Sequence, residues 1–248
     1  MSTVAATSFA RGLIDESRRT HPWLHHRLFK DIWEGRLNSE QVREVLKQQG
    51  AFFLDTIRHA AVRLAAVGGP FPTRADLELQ RAMISTLVEE AGEDTVGGKH
   101  TAHPLLFIRL AEGFNISESE LFSTSYLPEI VIEKNELFRL QAASPLEALC
   151  GGAIASEAIN HEHSARMLAA YRDTYRIPER CLTFYAVHAG GVEEEHGERG
   201  IEIVDRLALT EADRQAGALA MRRAIAARRS AADAMYRMVV PSSDGAGS

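Results

Sequence analysis

The spacing of apolar residues limits this chain to one kind of architecture. Between recurrent helix-start signals, apolar side chains return every three or four positions, the period of a single helix face. Val42, Val45, Leu46, Phe52, Phe53 and Ile57 make one such stripe, and Leu105, Leu106, Leu110 and Phe114 make another. The starts are equally regular. Asn38 with Gln41, Ser117 with Glu120, Ser144-Pro145-Leu146-Glu147 and Thr210 with Asp213 each place a capping side chain three residues ahead of a group that can reach back. Alternating runs joined by tight hairpin turns are absent, as are internal repeats. The spacing predicts helices near 9–19, 22–35, 39–67, 73–91, 103–113, 118–124, 126–142, 145–176, 179–206 and 211–238. The expected fold is all-α, an up-and-down helical bundle of seven or more helices.

A length of 248 residues suits one domain, expected over 1–240, with 241–248 a disordered tail. With 45% hydrophobic and 25% charged residues and a net charge of −6, the chain offers no general attraction to nucleic acid. The one basic cluster, Arg222, Arg223, Arg228 and Arg229, lies in an Ala-rich helical stretch and is expected to form a solvated face. Two cysteines, Cys150 and Cys181, cannot build a disulfide framework and read as small core residues. No signal peptide and no bilayer-spanning run is visible, so the expected setting is cytoplasmic and without a membrane partner.

A bundle keeps its chemistry between facing helices, so the informative residues are polar ones on apolar faces. Three segments carry them. Leu87-Val88-Glu89-Glu90-Ala91-Gly92 closes one helix and is followed, after a loop, by His100-Thr-Ala-His103-Pro104 opening the next. Glu157 stands in the middle of an apolar, small-residue helix, with no other charge back to Glu147. His188-Ala-Gly-Gly-Val-Glu193-Glu-Glu-His196 follows inside a later helical pattern. A buried carboxylate without a partner costs several kcal/mol or takes up a proton, which makes Glu157 the hardest to read as packing alone. Singly, each histidine or glutamate would be an ordinary surface or core residue. Iron favours imidazole nitrogen and carboxylate oxygen and keeps positions open for O2 and substrate, and helical bundles supply such donors from several helices. The doubled Glu-x-x-His signature of ferritin-like bundles is missing, because Glu193-x-x-His196 is its single credible copy and Asn160 stands three residues after Glu157.

His103-Pro-Leu-Leu-Phe107-Ile-Arg109-Leu-Ala-Glu112-Gly113 resembles the His-Pro-x-Leu-Trp-x-Arg-Phe-Ala-Glu-Gly run of the haem-oxygenase-like diiron oxidases and oxygenases. The Glu-Glu-x-Gly ahead of it and Gly35-Arg-Leu-Asn-Ser-Glu-Gln41 also resemble that family, from about Trp23 to Leu207. The resemblance implies a haem-oxygenase-like fold and a ligand set of Glu89, His103, Glu157, His188, Glu193 and His196. Those residues would hold Fe(II), two ions per chain, with O2 as cosubstrate. In the family the glutamate lies three residues before the glycine, which selects Glu89 over Glu90. The longer loop here leaves His100 as a competitor of His103.

The late helix departs from the family's His-x3-Asp-x2-His, reading His-x4-Glu-x2-His instead. On a regular helix His188 and Glu193 would diverge by roughly 140°, so a single-turn π-bulge is expected near 189–192, where Gly190-Gly191 tolerates it. His161, four residues after Glu157, and the cations Arg58 and Lys47 are candidates for substrate contact. Arg109, a part of the resembling run, is expected in a structural ion pair, and His163 is expected to point outward.

The implied activity is O2-dependent oxidation of a small amino-acid-, amine- or fatty-acid-like metabolite, by N-oxygenation, desaturation or carbon–carbon cleavage. An external electron donor and a homodimer are both compatible with it. Two rival readings stand beside it. One is a cofactor-free enzyme of the same fold, either quinone-cofactor-forming or thiaminase-like; in the latter Cys150 would be the middle-helix thiol, although its Gly151-Gly152 context differs from that group. The other is a non-enzymatic helical interaction protein, for which inward carboxylates and histidines would be an unexplained cost.

Overall fold

Caps set the helix boundaries. In the computed structural model, which describes residues 8–92, 101–190 and 193–241 (the side chains of 157, 158 and 193–199 lying outside that description), the elements are helical. They run α1 (Phe9–Thr20), α2 (Pro22–His25), α3 (Arg27–Trp33), α4 (Ser39–Phe53), α5 (Thr56–Ala65), α6 (Arg74–Glu90) and α7 (His103–Gly113). Then follow α8 (Glu118–Phe122), α9 (Pro128–Ala143), α10 (Pro145–Leu149), a π-helical segment (Cys150–Glu157) and α11 (Ala158–Asp173). After a 3-10 turn (Glu179–Cys181), α12 (Thr183–Ala189), α13 (Glu193–Leu207) and α14 (Glu211–Val239) complete the chain. No helix among the described residues is long and apolar enough to cross a membrane.

Reciprocal capping boxes open α4 with Asn38 and Gln41, α8 with Ser117 and Glu120, and α14 with Thr210 and Asp213, as the sequence predicts. A fourth, Thr73 with Asp76, opens α6. Three long expected helices are divided, each for a local reason. The 22–35 stretch breaks at His26, whose ring Nδ1 accepts from Leu28 N and starts α3 afresh. The 39–67 stretch breaks at Asp55, which leaves the helix and takes Lys134 at 2.9 Å. The 179–206 stretch ends α12 at Ala189, because Gly190 is extended (φ −79°, ψ 152°). The chain therefore leaves the helix at Gly190 where a π-bulge was expected; positions 191 and 192 lie outside the described residues. The π geometry lies elsewhere, over Cys150–Glu157 in the middle helix. There a small-residue run lets the coil widen, and Ser17 of α1 donates to the Ala155 carbonyl at 3.0 Å.

Two apolar clusters hold the bundle. One joins α3, α4, α7, α11 and α12 through Phe29, Leu46, Phe107, Leu110, Tyr171 and Tyr185. The other joins α1, α9, α10, α13, α14 and the π segment through Leu13, Leu140, Leu149, Ile154, Val204 and Met221. Each fully buried large side chain contributes about 1.5–3 kcal/mol. Gly113, the last residue of the resembling run, ends α7 against the chain that follows α11. A Cβ there would stand 2.6 Å from Ile177 Cγ2 and 3.0 Å from Cys181 Cβ. Gly113→Ala should therefore lower stability by about 1–3 kcal/mol, read as a shift of the urea midpoint at unchanged slope. An unshifted midpoint would contradict this packing.

Candidate functional site

One cavity of about 220 Å³ draws its walls from both apolar clusters, with Ile14, Met83, Leu149 and Ile154 on one side and Phe184 and Tyr185 on the other. Much of its polar lining comes from five helices. Thr56, His59 and Arg63 recur at three and four along α5 and share one face. Glu89 and Glu90 end α6, His103 begins α7, His188 sits in the last turn of α12, and Arg228 projects from α14.

The ends of α6 and α7 meet because of Gly92. Its φ of +86° turns the chain sharply, and a Cβ would lie 2.3 Å from the Ala102 backbone nitrogen. This is the glycine of the Glu-Glu-x-Gly motif, so the motif marks a turn that only a glycine can make. Across it Glu90 Oε2 pairs with His103 Nδ1 at 3.0 Å. Burial opposes ionisation of the Glu90 carboxyl, but the bond from His103, the two neighbouring histidines and the Thr56 hydroxyl more than offset it, and the carboxyl stays below the usual range. The His103 and His188 rings stand 4.8 Å apart. His188 Nδ1 bonds to the Phe184 carbonyl at 2.6 Å, so the ring donates there and would offer Nε2 to a metal. Burial, helped by His103, holds the His188 pKa down at about 4, so it is a neutral imidazole at physiological pH.

Two histidines extend the polar wall. His59 donates from Nδ1 to Gln141 Oε1 at 2.9 Å and stacks on Phe138 at 4.0 Å; burial lowers its pKa to about 4. His163, expected to face outward, is instead 2% exposed, stacked on Trp23 at 5.1 Å and bonded through Nδ1 to the Trp23 carbonyl at 3.1 Å. Burial lowers its pKa to about 3.

Of the six expected ligands, the structure brings Glu89, His103 and His188 to the cavity. The side chains of Glu157, Glu193 and His196, and the competitor His100, lie outside the described residues. Among the described residues no three His, Cys, Asp or Glu side chains close on one point as a metal cage. The donor chemistry nonetheless fits iron: carboxylates beside two imidazoles at one cavity wall, each imidazole oriented through its Nδ1.

The three expected substrate contacts lie away from this cavity. His161 is exposed on α11, because the buried face there runs through Ile159, His163 and Met167. Arg58 is largely exposed, covers the Phe138 ring and pairs with Asp55. Lys47 pairs with Glu44 at 2.8 Å. Arg109 is exposed, so its place in the resembling run is a surface one. Among the described residues the buried arginines and lysines are Arg63 and Arg228, 8% and 3% exposed. The sequence places Arg228 in a basic cluster with Arg222, Arg223 and Arg229, and those three companions are exposed. It is displaced from them because it falls on the buried stripe of Met221, Ala224, Ala231 and Met235.

Solved structures share this arrangement of helices. A domain of unknown function with a heme oxygenase-like fold from Shewanella denitrificans OS217 superposes with a TM-score of 0.67 at 13% identity, covering 96% of this chain and 95% of its own. A TenA homolog from Pseudomonas syringae pv. tomato DC3000 does so at 0.76 and 12% identity, over 96% of both chains. A CADD-like protein of unknown function from Nostoc punctiforme PCC 73102 reaches 0.68 at 14% identity, over 94% of this chain and 97% of that one. These likenesses establish the haem-oxygenase-like, all-helical fold. No curated protein matches the sequence. The sequence profile of the family described as iron-containing redox enzyme matches residues 52–229, from the end of α4 into α14. The chain belongs to that family.

The buried histidines give the fold a pH signature. Folded-state pKa values near 4 for His59 and His188 and 3 for His163 lie below the value of about 6.5 in an unfolded chain. Below pH 6.5 the unfolded chain therefore binds protons that the folded one refuses. Stability is full above that pH and is lost as the pH falls, with a slope approaching about 1.4 kcal/mol per pH unit for each histidine. Urea unfolding of the metal-free protein should weaken steadily from pH 6.5 to 5, and His163→Gln should flatten that dependence while lowering stability overall. A profile flat across this range would contradict the neutral, buried assignment.

Proposed function

We infer that this chain is an O2-activating non-haem diiron oxidoreductase acting on a small amino-acid-, amine- or fatty-acid-like metabolite in a biosynthetic pathway of the cytoplasm. The observation that carries the reading is the Glu90–His103–His188 group beside Glu89 on one wall of an otherwise largely apolar cavity, in a chain of an iron-containing redox family. The proposed ligands are Glu89, His103, Glu157, His188, Glu193 and His196.

Glu90 has a separate part in this reading. Its carboxylate accepts a hydrogen bond from the Nδ1–H of His103, so the ring would bind metal through Nε2, as metal-ligating histidines do when a carboxylate orients them. The Phe184 carbonyl does the same for His188. Bound iron would supply the capacity to reduce O2 and oxidise the substrate by N-oxygenation, desaturation or carbon–carbon cleavage, with an external electron donor where the balance requires one. The protein's own part is positional. His188, a neutral imidazole, keeps its Nε2 lone pair available at neutral pH, and Phe53, Phe184 and Met83 keep bulk water from the reacting end.

The thiaminase-like reading needs a reactive thiol in the middle helix. Cys150 is fully buried, burial pushes its pKa up to about 12, and it is absent from the cavity wall. A thiolate there would be strongly disfavoured.

Anaerobic Fe(II) titration should approach about two irons per chain, followed by O2 uptake on exposure to air. Glu89→Ala and His188→Ala should each abolish part of the iron uptake. Glu90→Gln should keep the stoichiometry and weaken affinity roughly 10–100-fold. Cys150→Ala should leave both readouts intact. A wild-type protein that takes up no iron would refute the reading. Stoichiometric loss in Glu90→Gln with none in Glu89→Ala would reverse the assigned parts of the two glutamates.

A further inference from the structure

Consecutive residues at the end of α4 pack into different halves of the molecule. Phe53 joins the first apolar cluster and Phe52 the second. The two rings therefore splay at the seam from which the cavity draws its walls. A second, smaller chamber of about 30 Å³ lies beyond them, with room for roughly two water molecules. There α4 and α9 supply apolar surface through Ala51, Ile130 and Leu137 and polar surface through Gln49 and Glu133. Four described residues, Trp23, Phe52, Phe53 and Arg228, face both spaces and so form the partition between them.

Three of the four are anchored in other parts of the structure. Trp23 stacks on His163 at 5.1 Å, and its carbonyl holds that ring. Phe53 stands 5.0 Å from both Phe107 and Phe184, deep in the core. Arg228 is bonded to Ser156 of the π segment. Phe52 differs. Its ring and guanidinium neighbours are Phe53 at 5.4 Å, His59 at 5.1 Å and Arg228 at 5.3 Å, and all three line the main cavity themselves. The Phe52 ring is thus the apolar filling between the two spaces, and its bulk decides how far a ligand in the larger one can extend. An apolar cavity of roughly 150 Å³ holds one benzene, so about 220 Å³ closed by Phe52 suits a body only modestly larger.

We propose that Phe52 is a specificity-determining residue. Its ring ends the cavity, restricts it to short ligands with an apolar body, and bars longer ones from the second chamber. This deepens the function inferred above and rests on it for the identity of the cavity as the substrate site. Among amino-acid-, amine- and fatty-acid-like metabolites it selects the short ones. The partition itself requires no metal.

The test uses straight-chain primary alcohols from butanol to decanol, titrated calorimetrically into the metal-free, full-length protein. These probes are neutral, so the charged groups of the wall do not decide their binding. Affinity for the wild type should rise about fourfold per methylene and stop rising at the length that fills the cavity. Phe52→Ala should move that break at least two carbons longer. Phe52→Leu, which keeps an apolar filling and guards against loss of the fold, should move it the same way by less. Phe114→Leu, a truncation beside Tyr171 and Tyr175 and away from both chambers, should leave the break in place. The proposal would be overturned by a wild-type break in both Phe52 variants with far-ultraviolet circular dichroism retained, or by an equal shift in Phe114→Leu. A wild type that binds no alcohol, or whose affinity still climbs at decanol, would overturn it as well. Iron uptake of the wild type is read separately: a failed iron titration beside a shifted break would refute the diiron reading and leave the partition standing.

Discussion

The hydrogen bond between Glu90 and His103 fixes the geometry on which the site depends. It ties the last residue of α6 to the first residue of α7, across a turn that Gly92 alone can make at its φ of +86°. α6 packs mainly on α5 and touches α7 only lightly, so this polar contact sets where its carboxylates lie. Once the contact is made, Thr56 of α5 falls beside Glu90, and the His103 ring comes within 4.8 Å of His188 on α12. Four helices thereby contribute to one wall without a single one of them running through it.

The chamber behind that wall exists because the middle helix is built from small residues. Gly151, Gly152, Ala153 and Ala155 form a π-helical segment whose wider coil packs extensively on α14 and leaves side-chain space facing α5. Polar groups on the chamber's surface are tolerated because each is neutral or held. His59, His163 and His188 are kept uncharged by burial. Arg228 is charged and accommodated by Ser156, Glu133 and two aromatic faces. The result is a cavity that combines apolar side chains with a set of held polar groups.

Much of this was legible in the sequence. Helix starts were, because a capping box is a local device: Asn38 with Gln41 and Thr210 with Asp213 need nothing beyond their own four residues. The pairing of the Glu89-Glu90 segment with His103 was also visible, through the glycine that follows and the proline that opens the next helix. Other features depend on tertiary context. No local rule distinguishes a π-helical run of small residues from an α-helical one, so the widened coil fell in the middle helix and not near Gly190. Residue type alone points Arg228 and His163 outward. Their stripe positions, Met221-Ala224-Arg228-Ala231 and Ile159-His163-Met167, carried the opposite information, and periodicity was the better guide. Arg63 likewise completes a buried stripe with Thr56 and Ala60. Arg58 and Lys47 gave way to it because α5 and α4 turn those two side chains towards acidic surface partners.

The central claim is that carboxylates and imidazoles from separate helices converge on iron at this wall. Anomalous diffraction at the iron absorption edge, from crystals loaded anaerobically with Fe(II), tests it most directly. The account predicts two peaks roughly 3.5–4 Å apart, in contact with Glu89, His103 and His188. Iron bound elsewhere on the molecule, or a cavity wall with no anomalous signal at full loading, would contradict it.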